Sequence, residues 1–155
     1  EAPFAFDLGY RAGEGIERMR VGTPPVIQMA ALEAALDIWD AVDMAALRAR
    51  SLELADRFIA GVEAAAPALT LATPRGHAER GSQVSFRHPD GYAIMQALID
   101  RGVIGDFRAP DILRFGVTPL FIGEDEIDLA VAVIGEVMAD RLWDNPAYQT
   151  QAAVT

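Results

Sequence analysis

The sequence predicts an α+β fold in which helices pack on a small, largely antiparallel sheet. Three observations lead there. Apolar residues recur at helical spacing from Ile27 to about Val62. After Pro67 the period changes to short alternating runs separated by Pro, Gly and Asp turns. A final long stretch returns to helical spacing. The order is a helical half followed by β-β-α-β-β-α, without the long strand–helix alternation of a doubly wound cofactor domain.

Taken in order, the opening to about Val21 has no clean period and carries Gly9, Gly13 and Gly15, so it reads as an irregular arm. Such an arm, lacking a core of its own, is unusual at the start of a free-standing domain, and we expect something to precede it. Gly22-Thr23-Pro24-Pro25 stops one element and starts another, with Thr23 as the expected helix cap. Ile27, Ala30, Ala31, Ala34, Ala35, Ile38, Trp39 and Val42 then share a face. Asp43 is placed to cap a second helix, with Leu47, Leu54, Phe58 and Val62 as its stripe and Arg48, Arg50, Glu53 and Arg57 mostly outside it. Strands are predicted over 69–73 and 83–88, a short helix from Tyr92 to near Gly102, and two more strands over 103–107 and 112–117, broken by Ala109-Pro110-Asp111. A helix over about 125–142 turns Ile127, Val131, Ile134 and Met138 inward and places Glu124, Asp125 and Glu126 where a helix N-terminus favours acids. From Asn145 the chain reads as a frayed tail.

Composition narrows the chemistry. A net charge of −10 opposes a nucleic-acid partner or an anionic membrane surface, and no apolar run is long enough to cross a bilayer. No cysteine is present, which excludes disulfides, thiolate metal sites and cysteine nucleophiles and is compatible with the cytoplasm, where we expect the protein. All 13 basic residues are arginine. Any mechanism that needs a lysine as general base, imine partner or phosphate-loop charge cannot be completed inside this sequence.

Two constellations carry chemistry. In Leu113-Arg114-Phe115-Gly116-Val117-Thr118-Pro119-Leu120-Phe121 an arginine sits inside an apolar strand. Its planar fork of donors suits bidentate capture of a small carboxylate; the alternatives are a solvent-facing arginine or one paired with a structural acid. In Arg20-Val21-Gly22-Thr23-Pro24-Pro25 a hydroxyl and free N–H groups at a helix start suit a phosphate, with Gly22 allowing close approach. The alternative is a cap that serves only its helix. Asp106, Arg108 and Asp111 cluster before Arg114, either as an ion-pair network that orients it or as a solvated loop. His77 and His88 lack ligand spacing and read as surface residues. Zinc motifs, glycosidase-type carboxylate pairs and a nucleophile elbow are absent from the sequence.

Across about 1–142 the chain resembles the C-terminal part of kynureninases. Arg-Phe-Gly-Val-Thr-Pro-Leu-Phe at 114–121, Gly-Ile-Glu-Arg-Met-Arg-Val-Gly-Thr-Pro-Pro-Val-Ile at 15–27, Arg-Gly-Val-Ile-Gly-Asp-Phe-Arg at 101–108 and Pro-Phe-Ala-Phe at 3–6 carry the likeness, in order along the chain. It extends more loosely to other fold-type I pyridoxal-phosphate (PLP) enzymes, the aminotransferases and cysteine desulfurases. The resemblance implies the small C-terminal domain of an aspartate-aminotransferase-like homodimer that hydrolyses L-kynurenine, or its 3-hydroxy form, to anthranilate and L-alanine in tryptophan catabolism. It implies that Arg114 grips the α-carboxylate of a small amino-acid substrate, that Gly22 lines the substrate pocket, and that Thr23 binds the PLP phosphate, reaching into the other subunit's site. On the same grounds, residues 1–23 form an arm after a large PLP domain, 24–66 a helical connection, 67–144 the small domain and 145–155 a tail. The lysine that binds the cofactor, the aspartate on its ring nitrogen and the stacking aromatic have no counterpart here, so the chain by itself is expected to be inactive and to contribute no catalytic residue and no metal ligand. The competing readings are the small domain of another fold-type I enzyme and a stand-alone, non-catalytic binding or dimerisation module.

Overall fold

The computed structural model describes residues 8–20 and 22–150. The chain divides into two units that meet between Val42 and Asp43, inside the stretch 24–66 read above as one helical connection. The segment at 3–6 and Val21 lie outside the described residues.

The first unit holds a short 3-10 turn, Gly15–Met19, then helix α1, Val26–Leu36, then a second 3-10 turn, Asp37–Ala41. Two consecutive prolines decide where α1 begins. A residue before proline is pushed out of the helical region, so Thr23 and Pro24 stay outside and Pro25 becomes the N-cap, with φ −73° and ψ 98°. Thr23, expected as the cap, stands two residues too early, and no side chain caps α1. The expected inward face also differs from what is found: within this unit none of the described residues is buried, and Val26, Ile27 and Met29 are exposed on successive sides of the helix.

The second unit begins as expected. The Asp43 carboxylate accepts hydrogen bonds from the N–H groups of Ala45 at 2.8 Å and Ala46 at 3.3 Å, capping α2, Met44–Ala65. Leu54, Phe58 and Val62 are buried, whereas Leu47 is half-buried nearer the open end. The sheet follows as β1, Thr70–Leu71, β2, Gln83–Arg87, β3, Asp106–Arg108, and β4, Ile112–Gly116, in the spatial order β1-β2-β4-β3 with every neighbouring pair antiparallel. Between β2 and β3 runs α3, Gly91–Ile99, and after the sheet comes α4, Glu124–Ala139. The strand expected over 103–107 is displaced toward its end: residues 103–105 stay unpaired and pairing starts at Asp106. The tail expected to fray contains a short helix, α5, Pro146–Gln149. The Asn145 side chain accepts from the Ala147 N–H, and the Tyr148 hydroxyl donates to Asp100 at 2.9 Å.

All helices of this unit that touch the sheet lie on one face. Val84, Phe86, Leu113 and Phe115 alternate toward them, and Phe58 of α2 meets both Phe86 and Phe115 edge to face, with ring centroids 6.1 and 5.3 Å away. Helices α2 and α4 approach closely because they cross at glycine: a Cβ on Gly61 would lie 2.8 Å from a Val131 methyl, and one on Gly135 would lie 3.1 Å from the Ala65 Cβ. Salt bridges clasp the same pair, Arg57 to Asp128 and Glu124, and Arg50 to Glu124. The loop after β1 is pinned to α2 by Arg48, which donates to the carbonyls of His77 and Arg80, and by Arg80, whose side chain is only 2% exposed and pairs with Asp56.

Candidate functional site

With the helices on one face, the alternation of the strands leaves the other face to Gln83, Ser85 and Arg87 of β2, Asp106 and Arg108 of β3, and Ile112, Arg114 and Gly116 of β4. Arg114 is therefore the one polar side chain of β4, set between core residues Leu113 and Phe115 but pointing to the opposite side. Its neighbours across the sheet are Ser85 on β2 and Asp106 on β3. The side chain is 29% exposed, reaching solvent from a half-buried base.

Arg114 donates from Nη2 to the Asp106 carboxylate, and Arg108 Nη2 lies 3.2 Å from the same oxygen. The Arg114 hydrogen bond, helped by the charges of Arg108 and Arg114 and opposed by burial, holds the Asp106 carboxyl below the ordinary carboxylate range. Arg114 Nε is buried and has no hydrogen-bond partner among the described residues. Asp111 does not join this group. It pairs with Arg87 at 3.1 Å, since Arg87 stands opposite Ile112, the residue that follows Asp111. The charges on β2, β3, β4 and their turn are thus three arginines against two aspartates. In a chain of net charge −10, this face carries, among the described residues, one more cation than anion, a balance that favours a small anion.

Gly105 escaped sequence reasoning although it immediately precedes Asp106. A Cβ there would lie 2.8 Å from the Arg114 carbonyl oxygen and 2.7 Å from the Met95 Cε, so only glycine lets β3 close onto β4 at this point. The signal was a glycine inside the strand predicted over 103–107, where a missing side chain marks the close approach of another backbone.

Gly22 and Thr23 belong to the first unit. Both are exposed, a Cβ on Gly22 would meet nothing within 4 Å, and no hydrogen bond engages the Thr23 hydroxyl among the described residues. Behind them α1 has no acidic residue in its first turn and no side-chain cap, so its leading N–H groups remain open. These features fit a phosphate group. His77 is a surface residue paired with Asp56 at 2.8 Å. His88, in contrast, is largely covered: Trp143, brought from 55 positions away, lies 5.6 Å from its ring, and its Nδ1 accepts the Asp90 N–H. Among the described residues no group of three His, Cys, Asp or Glu is placed to hold a metal, and no helix is long and apolar enough to cross a membrane.

The family model for the kynureninase C-terminal domain matches residues 47–134, more than half of the chain and wholly within the second unit. This chain belongs to that family. Kynureninase from Pseudomonas fluorescens is 49% identical over 154 residues, which are 98% of this chain and 37% of the relative. Those of Burkholderia mallei (strain SAVP1) and Burkholderia pseudomallei (strain K96243) are each 47% identical over 156 residues, 99% of this chain and 38% of theirs. The chain thus spans little more than a third of the length of the curated relatives it matches. The α+β architecture with its four-stranded antiparallel sheet is the one expected for this domain.

Proposed function

We propose that this chain forms the carboxylate-gripping wall of a kynureninase active site, within a PLP-dependent, cytoplasmic homodimer that hydrolyses L-kynurenine or its 3-hydroxy form to the anthranilate and L-alanine. One observation carries the reading: Arg114 stands on the helix-free face of the sheet, half-buried, with one cation more than anion around it. Family membership supports it, because the matched relatives are kynureninases over the same stretch.

In this reading the Arg114 guanidinium takes the substrate's α-carboxylate through two parallel N–H donors, which fixes both position and rotation of the amino-acid end. The Thr23 hydroxyl donates to a phosphate oxygen of PLP, with the open N–H groups of α1 and the bare Gly22 backbone beside it. The cofactor, when bound, supplies the electron-withdrawing ring that this chemistry requires. A chain without lysine cannot attach it covalently, so the purified 155-residue polypeptide should show no kynurenine turnover.

Arg114→Ala in a full-length enzyme containing this sequence tests the assignment. We expect KM for kynurenine to rise about tenfold to a hundredfold, the size of a lost charge-assisted contact, with the PLP absorbance retained. An unchanged KM, or loss of bound PLP with normal substrate affinity, would overturn it.

A further inference from the structure

Asp106 and Arg114 differ in how many partners they have. Asp106 has two cations on one carboxylate oxygen, Arg114 and Arg108. Arg114 has a single anionic partner among the described residues, and its buried Nε has none. A guanidinium offers five N–H donors, and leaving one buried and unmet costs free energy. Asp106 is tied to β3 by the register Asp106↔Arg114, so it cannot slide to satisfy that donor. A free carboxylate has no such tether.

We propose that Asp106 is a resident counter-ion that a ligand carboxylate replaces on Arg114, and that Arg108 makes the exchange possible by keeping Asp106 paired after Arg114 turns away. The inference rests on the reading of Arg114 as a carboxylate grip and adds what that grip must release. Before the exchange two arginines share one aspartate. Afterwards each arginine has its own carboxylate, and no charge is left alone at the edge of the core. Asp111 cannot take over either role, because Arg87 holds it at 3.1 Å. Asp106 is thus a positioning residue that competes with the ligand, and Arg108 is the residue that makes it a weak competitor.

The two variants are therefore expected to act in opposite directions. The test uses the full-length, cofactor-loaded enzyme and measures Kd by calorimetry for L-alanine and for the uncharged analogue L-alaninamide. Asp106→Asn should tighten L-alanine about two- to fivefold, the range of a partly exposed ion pair, and Arg108→Ala should weaken it by a similar factor. Neither should move L-alaninamide. Weaker L-alanine binding in Asp106→Asn would make Asp106 an orienting residue and overturn the proposal, as would parallel losses for the amide. If Asp106→Asn fails to fold, the wild-type enzyme decides: the Asp106 side-chain carboxyl 13C resonance must shift when L-alanine is added, and an unmoved resonance overturns the exchange. Arg114→Ala in the same series separates the two levels. An L-alanine affinity unaffected by that change sinks the carboxylate reading itself, whatever Asp106 does.

Discussion

Helices α1 and α2 are both rich in alanine, and they do different things with it. In α2 the large apolar residues Leu54, Phe58 and Val62 fall on one stripe and the arginines on another, so one side seals the core while the other salt-bridges to α4. In α1 only Gln28 and Glu33 break an otherwise apolar surface, and every residue is exposed. A sorted helix needs one neighbour; an unsorted apolar one needs neighbours on several sides. The family match begins four residues inside the second unit, covering 47–134 and leaving α1 outside. The second unit therefore carries its own stability, whereas the apolar surface of α1 is a demand that the first unit does not meet.

The sharpest way to break this contrast is to cut into both regions. Phe86→Ala, at a fully buried core position, should cost about 3–5 kcal/mol in urea unfolding, whereas Leu32→Ala in α1 should stay within about 0.5 kcal/mol. Equal losses would show that α1 is packed as firmly as the core of the second unit. A smaller cut is Gly61→Ala, which must push Val131 aside and should cost about 1–3 kcal/mol, with α2 and α4 losing amide protection together. Exposed apolar surface makes a further claim: the isolated chain should self-associate in sedimentation, and Ile27→Glu should reduce that association without lowering the unfolding midpoint. A monomer at all concentrations would contradict it.

The mildest effect is one of pH. Asp128, held down by its hydrogen bonds from Arg57, and Asp106, held down by Arg114, both titrate below the ordinary 3.8. Their folded-state values are depressed, so their contribution is complete above that ordinary value and disappears as pH falls through the lowered ones. Stability should accordingly be flat in this respect between about pH 7 and 5 and decline below about 4. Arg57→Ala should remove the Asp128 share of the decline.

Much of the second unit was legible because its periods contrast. The alternation Leu113-Arg114-Phe115 already sends Arg114 away from the core, and the stripe of α2 already names Leu54, Phe58 and Val62. What was hidden depended on distant or geometric partners. Nothing local tells Asp106 from Asp111 as the mate of Arg114; the register of β3 against β4 decides it. The covering of His88 waits on Trp143, and the ordering of the tail on Tyr148 meeting Asp100. Thr23 lost its cap role to the two prolines after it, which hold the residues before them out of the helix.

The hairpin joining β3 to β4 has one further consequence, for tolerance to changes of length. Only Ala109, Pro110 and Asp111 separate the paired residues Arg108 and Ile112. A net insertion or deletion of one residue here would shift the register and exchange the two faces of a strand, turning Arg114 toward Phe58 and sending Leu113 or Phe115 into water. The loop over 72–82 is under no such arithmetic, since its pins to α2 are side chains that can follow a moved backbone. Natural and engineered length variants of this domain should therefore accumulate in the loop before β2, while the turn before β4 keeps its count.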